Sequence, residues 1–255
     1  MSDTPQIDIE VRNLRIRYAD TVVLDGVDAD ITHGKITSVM GPSGCGKSTL
    51  LKAMLGMIDP DEGQIRLLGH HVRGFEREEL SKFLTNVGVT FQHGALFGSM
   101  TVGENVAVPM REHTDLDEET ITSLVQLKLG LVDMAHAVNK MPAELSGGMQ
   151  KRAAIARALA LDPPILFFDE PSAGLDPVTA EQLDDLILFI NQSLGTTIVV
   201  VTHEVRSAMR ISDQLLFLSG GNVREAGTPE QFRHSANSAV TSFLACSGLG
   251  PPDQP

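Results

Sequence analysis

Cysteine is scarce in this chain, and the two present, Cys45 and Cys246, lie far apart. They give neither a disulfide framework nor the paired thiolate spacing of a zinc site. Histidine is scattered, and His70-His71 reads as a solvated turn because no carboxylate or thiol cluster accompanies it. Basic side chains are outnumbered, 20 Lys and Arg against 33 Asp and Glu, for a net charge of −13. A general nucleic-acid binder carries a basic face, so no nucleic-acid partner is expected, although an acidic total leaves room for one local cationic pocket. No apolar run reaches the roughly 18 residues needed to cross a bilayer. Met1-Ser2-Asp3-Thr4 lacks the basic and apolar regions of a secretory signal. The chain is therefore expected on the cytoplasmic side, with any membrane role exercised through a partner. No internal repeat is visible.

What is present suits an ordinary globular domain. The 255 residues are 42% hydrophobic, with mean hydropathy near zero, enough for one α/β domain carrying an inserted subdomain. Residues 7–11, 14–18, 22–24 and 35–40 read as short strands, the last running into Gly41. Residues 48–57 repeat apolar side chains at helical spacing, and strands follow at 64–68 and 87–91. From Gly94 to Ala160 the pattern turns helical, with helices predicted over 102–108, 117–127 and 147–161, the last stopped by Asp162-Pro163-Pro164. A buried strand, 165–168, ends at Asp169-Glu170. Asp176 then caps a helix with Pro177 in its first position and Gly195 at its end. A β-branched strand at 196–201 and a hairpin around Gly220-Gly221 complete the pattern, and the stretch from Gly248 reads as disordered. Strands alternating with helices predict a mostly parallel sheet with an antiparallel appendage.

Gly41-Pro42-Ser43-Gly44-Cys45-Gly46-Lys47-Ser48-Thr49 is a phosphate-binding loop with a strand before it and a helix after it. Its glycines let main-chain N–H groups curl round an anion, and the helix N-terminus adds partial positive charge. Lys47 suits the β and γ phosphates of a nucleoside triphosphate, and the Ser48 hydroxyl suits Mg²⁺. Cys45 is either a thiol activated at a helix N-terminus or simply a small residue in a tight loop. Asp169, at the end of its apolar strand, can hold Mg²⁺ through water, and Glu170 can orient or deprotonate an attacking water. His203 follows the strand over 196–201 and is expected at the same C-terminal edge, either as a core histidine or as a γ-phosphate contact. A second glycine-rich element, Leu145-Ser146-Gly147-Gly148-Met149-Gln150, stands 105 residues after the first. Two phosphate-type elements in one chain suggest one nucleotide gripped by two copies.

Taken in order, the P-loop, Gln92 after a strand, Leu145 to Gln150, Phe167-Phe168-Asp169-Glu170, Ser172-Ala173-Gly174-Leu175-Asp176 and Thr202-His203 resemble the ATP-binding subunits of ABC transporters over roughly residues 7–235. The resemblance implies a P-loop NTPase (RecA-like) α/β core with an antiparallel β subdomain over about 1–93 and 162–235, a helical subdomain over about 94–161, and a C-terminal segment over 236–255. It implies ATP and Mg²⁺ as cofactors and a homodimer with two sandwiched ATP molecules. Each ATP would lie between one copy's P-loop and the other's Ser146, Gly147 and Gly148. Tyr18, the only tyrosine, would stack on adenine, the alternative being a strand residue covering a sheet face. Gln92 would contact Mg²⁺ and the attacking water, with Ser48 and Asp169 as the other metal contacts. Asp176 would lie at the dimer seam, and Glu170 would be the catalytic base, with Lys47, Gln92 and His203 completing the catalytic set.

The stretch from Phe91 to Phe97, with Asn105 to His113, resembles more narrowly the ATPases that work with MCE-domain proteins in bacterial phospholipid transport between inner and outer membrane. The implied partners are a multi-span membrane permease, an MCE-domain lipid-binding protein and small accessory subunits, with the chain peripheral at the inner membrane's cytoplasmic face. Another cargo, a small solute or toluene-like compound, is the alternative. Ala95, Leu96 and Phe97 would dock the permease, Leu96 packing internally being the competing reading. His93 stands where a smaller residue such as Ser is expected. The C-terminal segment, which in this family can cross to the neighbouring ATPase, would form only a short clasp.

Overall fold

The computed structural model describes residues 5–92 and 94–248. The expectations about His93 and about the stretch beyond Gly248 lie outside those residues.

Buried apolar runs build the main sheet. Strands β3 (Ile36–Met40), β6 (Val87–Thr90), β7 (Ile165–Asp169), β8 (Thr197–Thr202), β9 (Gln214–Ser219) and β10 (Asn222–Gly227) lie in the order β10-β9-β3-β8-β7-β6. All pairings from β9 to β6 are parallel, and only β10 runs antiparallel, to β9. The central strands lack polar alternation because both faces are covered. In β7, Leu166 and Phe168 enter one core, and Ile165 and Phe167 enter the other. In β8, Ile198 and Val200 face the first core, Val199 and Val201 the second.

The second core closes against another sheet, ordered β2-β1-β4-β5 and wholly antiparallel, formed by β1 (Ile7–Tyr18), β2 (Thr21–Thr32), β4 (Glu62–Leu67) and β5 (His70–His71). The sequence predicts two strands, 7–11 and 14–18, where the chain forms one. Asn13 takes a left-handed conformation (φ 46°) and the register shifts between Val11 and Leu14, a bulge that bends the strand without ending it. Helix α1 (Lys47–Met54) packs Leu50, Leu51, Ala53 and Met54 between the two sheets.

The first core is roofed by α3 (Val102–His113), α4 (Glu118–Leu131), α5 (Gly147–Ala158) and α6 (Pro177–Leu194). Helix α3 runs five residues past the predicted stop at Val108, with Pro109 inside it. Proline removes one helical hydrogen bond, but Met110 is fully buried on the far side, and that burial carries the helix on. Asp117, Ser146 and Asp176 each cap the following helix with side-chain oxygen, while Gly195 closes α6 in the left-handed conformation. Helices α2 (Arg77–Phe83), α7 (Val205–Ile211), α8 (Pro229–Arg233) and α9 (Ser238–Cys246) have no counterpart in the sequence reading. The last two cover a small third core around Met40, Phe217 and Phe232.

Candidate active site

Four parallel strands end at one edge of the main sheet, and each delivers a motif there. Met40 pairs with Thr202, Asp169 with Val201, and Thr90 with Phe168. The edge therefore presents, in spatial order, the glycine loop after β3, His203 after β8, Asp169-Glu170 at the end of β7, and Gln92 after β6. Ligands of open α/β sheets bind at such an edge.

The glycine loop wraps the start of α1. Lys47 is buried and its Nζ donates to the carbonyls of Gly41 and Pro42, at 2.8 and 3.1 Å. Gly46 caps the helix at φ 109°, and a Cβ there would lie 2.6 Å from Leu24 Cδ2. That close approach seats β2 against the loop, and Tyr18, half-exposed, lies at the turn of the β1–β2 hairpin opposite Thr21. Ser43 and Gly44 are exposed at the tip, and Ser48 and Thr49 fall in the first turn of α1. Cys45 is buried, and desolvation pushes its thiol up, outweighing the opposing pull of Lys47. Of the two readings of Cys45, the structure therefore favours a packed small residue over an activated thiol.

Glu170 adopts a left-handed main chain, φ 49°, a conformation that costs an L-residue about 1–2 kcal/mol. Its N–H donates to Val201 O at 2.8 Å and its carbonyl accepts from Ala173 N at 3.2 Å. The Glu170 carboxylate is held on one oxygen by His203 Nδ1 at 2.9 Å, by the Thr202 hydroxyl at 3.2 Å and by the His203 N–H at 3.3 Å. His203 is half exposed while Glu170 is mostly buried, so the imidazole stands between carboxylate and solvent. Beside it, Asp169 Oδ1 is buried without a hydrogen-bond partner among the described residues. Burial first, and then the Glu170 charge, raise the Asp169 carboxyl above its ordinary range. A buried acceptor with no donor is the arrangement a cation satisfies.

Ser146, Gly147 and Gly148 open α5 in a different neighbourhood. The exposed Ser146 accepts from Met149 N at 3.3 Å. A Cβ at Gly147 would touch Leu175, and one at Gly148 would lie 2.6 Å from Thr179 Cγ2, so this helix start is pressed against the N-terminus of α6. There Asp176 accepts from the Thr179 hydroxyl at 2.5 Å and from two main-chain N–H groups, bonds that hold its carboxyl below the usual range. A cleft of about 680 Å³ lies mainly between α6 and α7, with Glu181, Asp184, Ser207 and Arg210 in its walls and Leu175 and His203 at its margin.

Sequence reasoning missed three side chains that hold these pieces. Lys151 Nζ bonds to the carbonyls of Gln92 and Glu170. Arg157 donates to Ala95 O and Gly94 O and lies over the Phe97 ring. Asn105, fully buried, ties Phe97 N and O and the carbonyls of Met100 and Thr101 to α3. Lys151 and Arg157 reach main-chain atoms distant in sequence, Asn105 ones four to eight residues away, and in each case the target is a main-chain atom that no side-chain pattern signals.

The ABC transporter family's sequence profile matches residues 24–173. This chain belongs to the ABC transporter family. It is 41% identical to the intermembrane phospholipid transport system ATP-binding protein MlaF of Haemophilus influenzae over 95% of its own length and 92% of that protein's. It is also 40% identical to the probable ribonucleotide transport ATP-binding protein mkl of Mycobacterium leprae, over 95% of this chain and 70% of that one. Among solved structures it resembles a dimeric post-hydrolysis form of the ATP-binding cassette MJ0796 bound to ADP and phosphate, with TM-score 0.79 and 30% identity over 87% of this chain and 98% of that one. The expected ABC cassette architecture is thus the one observed. Among the described residues no helix is long and apolar enough to cross a membrane.

Proposed function

We propose that this chain is the ATP-hydrolysing subunit of a bacterial ABC transporter that moves phospholipid between inner and outer membrane, working as two identical copies beneath a multi-span permease. The observation that carries the cargo assignment is the 41% identity to MlaF along nearly the whole of both chains. Hydrolysis is supported by the intact acidic pair and by the His203–Glu170 contact at the sheet edge.

In this reading the loop amides from Gly41 to Thr49 and the start of α1 receive the phosphates, and Lys47 exchanges its two carbonyl partners for β and γ oxygens. Tyr18 lies against adenine. Glu170 takes a proton from water as the water oxygen bonds to the γ-phosphorus and the bond to the β–γ bridging oxygen breaks, releasing ADP and phosphate. His203 orients the Glu170 carboxylate and contacts the γ-phosphoryl group. Mg²⁺ would be held by Ser48, Gln92 and Asp169, whose orphaned buried oxygen suits it, and would neutralise charge on the phosphates. Ser146, Gly147 and Gly148 of one copy face the nucleotide of the other, with Asp176 at the seam.

The permease would dock beside Phe97. A groove of about 320 Å³, lined in part by Gly88, Pro109, His113 and Arg157, opens next to it. Phe97 is exposed while Leu96 packs against the first core, so Phe97 carries the contact. Affinity purification of the chain from detergent-solubilised membranes tests the assignment. An MCE-domain lipid-binding protein and a multi-span permease are expected to accompany it, with small accessory subunits. A permease accompanied by a soluble-solute receptor, with turnover stimulated by ribonucleotide rather than phospholipid, would replace the cargo by the one named for the mycobacterial relative.

A further inference from the structure

Ser146, which in the proposed dimer meets the partner's nucleotide, caps helix α5, yet the fifth residue of that helix, Lys151, reaches into this chain's own site. Among the described residues Lys151 is the one side chain that hydrogen-bonds to the main chain of both Gln92 and Glu170. The two segments it joins come from different strands, Gln92 after β6 and Glu170 after β7. The bond to Glu170 falls on a peptide whose left-handed conformation is fixed otherwise by Val201 O and Ala173 N. Rotation of that peptide would swing the carboxylate away from His203 and from a water held beside the γ-phosphate. Lys151 is half-buried, and burial lowers its pKa while the charges of Asp169 and Glu170 act in the opposite sense. A lysine desolvated beside two carboxylates but bonded to main-chain oxygens is placed to hold backbone, not to pair with a carboxylate.

We propose that Lys151 is a positioning residue that fixes the main chain of Gln92 and Glu170 to the helix bearing Ser146, so that engagement of Ser146 in one site sets the catalytic geometry of the other. The inference rests on the ATPase reading above. It makes the two sites of a dimer mechanically dependent: α5 touches the partner's nucleotide at its first turn and the main-chain carbonyl of its own chain's Glu170 one turn later. The same helix, through Arg157, also grips Gly94 and Ala95 beside the docking residue Phe97, so permease movement reaches Lys151 along one rigid element.

The test uses the full chain in complex with its membrane partners, comparing wild type, Lys151→Met, Lys151→Arg and the binding control Lys47→Ala. For Lys151→Met the expected result is a kcat reduced about tenfold or more with the KM for ATP changed by less than about threefold. Lys151→Arg, which keeps the charge and the donors, is expected to recover most of the kcat. A Lys151→Met enzyme with kcat within about twofold of wild type overturns the proposal. So does a loss of kcat matched by an equal loss of nucleotide binding and thermal stability, or a loss that Lys151→Arg does not relieve. If Lys151→Met fails to fold, Lys151→Gln is read by the same criteria. A wild-type complex that hydrolyses no ATP would instead remove the ATPase reading, which separates the two failures.

Discussion

The two glycine-rich elements of this chain differ in how complete they are. The P-loop is enclosed at its base: Lys47 and Cys45 are buried, and a Cβ at Gly46 would lie 2.6 Å from Leu24, while Ser43 and Gly44 stay exposed at the tip. The element at Ser146 is open: Ser146 and Gly147 are exposed, and only the side toward Leu175 and Thr179 is covered. A phosphate could be held by the first element alone, with the surrounding sheet as its frame. The second offers one exposed serine and one helix N-terminus and, in the proposed dimer, meets the nucleotide bound by the other copy. Each element holds one glycine that packing within the chain requires, Gly46 against Leu24 and Gly148 against Thr179; the difference lies in the buried Lys47, which only the first element supplies.

Removing the lysine from the enclosed element should produce the largest effect. Lys47→Ala is expected to lower ATP turnover by about 100-fold or more, since lost charge stabilisation of that kind costs roughly this much, and to weaken binding of ATP to the isolated chain. Isothermal titration and steady-state phosphate release measure both. Retained binding and turnover would dissolve the P-loop assignment. The open element should behave differently. Ser146→Arg is expected to leave ATP binding by the isolated chain within about twofold of wild type while turnover falls about tenfold or more. Loss of both together would mean that the two elements serve one site within a single chain, and the contrast drawn above would fail.

Sequence legibility follows the same division. The edge bearing Gly41, Asp169, Glu170 and His203 was readable because its strands are continuous buried runs, and motifs at the ends of parallel strands must emerge together. The cap at Asp176 was readable because capping is local chemistry, and the same chemistry places Asp117 and Ser146 as caps in the structure. The passage of α3 through Pro109 was not, because burial of Met110 is a tertiary fact that overrides a local breaker. Short helices such as α7 and α8 offer too few turns for a periodic signal. Lys151, Arg157 and Asn105 stayed hidden because their targets are main-chain carbonyls, which any sequence provides. Sequence alone left open whether Leu96 packs inward or joins Phe97 in docking, and the fold turns Leu96 toward the first core while Phe97 stays exposed.

That separation gives a smaller prediction, on assembly and not on chemistry. Phe97→Asp is expected to reduce recovery of the permease with the affinity-purified chain by about tenfold, comparable to loss of a central interface aromatic. ATP binding by the free chain should be kept. Full recovery of the permease would move the docking surface elsewhere, toward the groove beside Pro109 and His113.

The gentlest probe of the contrast is thiol chemistry. Cys45 reports on the enclosed element, and a Ser146→Cys substitution places a thiol on the open one, with the exposed Cys246 first replaced by Ser. Burial raises the Cys45 pKa, so at about pH 7 less of it is thiolate than of an ordinary cysteine, whose pKa is about 8.5. Its alkylation should therefore be slow at neutral pH and keep accelerating as pH rises beyond the point where an exposed thiol has levelled off. A thiol at position 146 should react about tenfold faster or more near neutrality. ATP should slow the reaction at Cys45 in the isolated chain, whereas protection at position 146 should demand ATP together with dimer formation, monitored by dilution of the protein. Equal protection at both positions in a monomer would place the two glycine elements around one nucleotide of one chain. Protection of position 146 that disappears on dilution, while Cys45 stays covered, is the outcome that an enclosed site and an open one require.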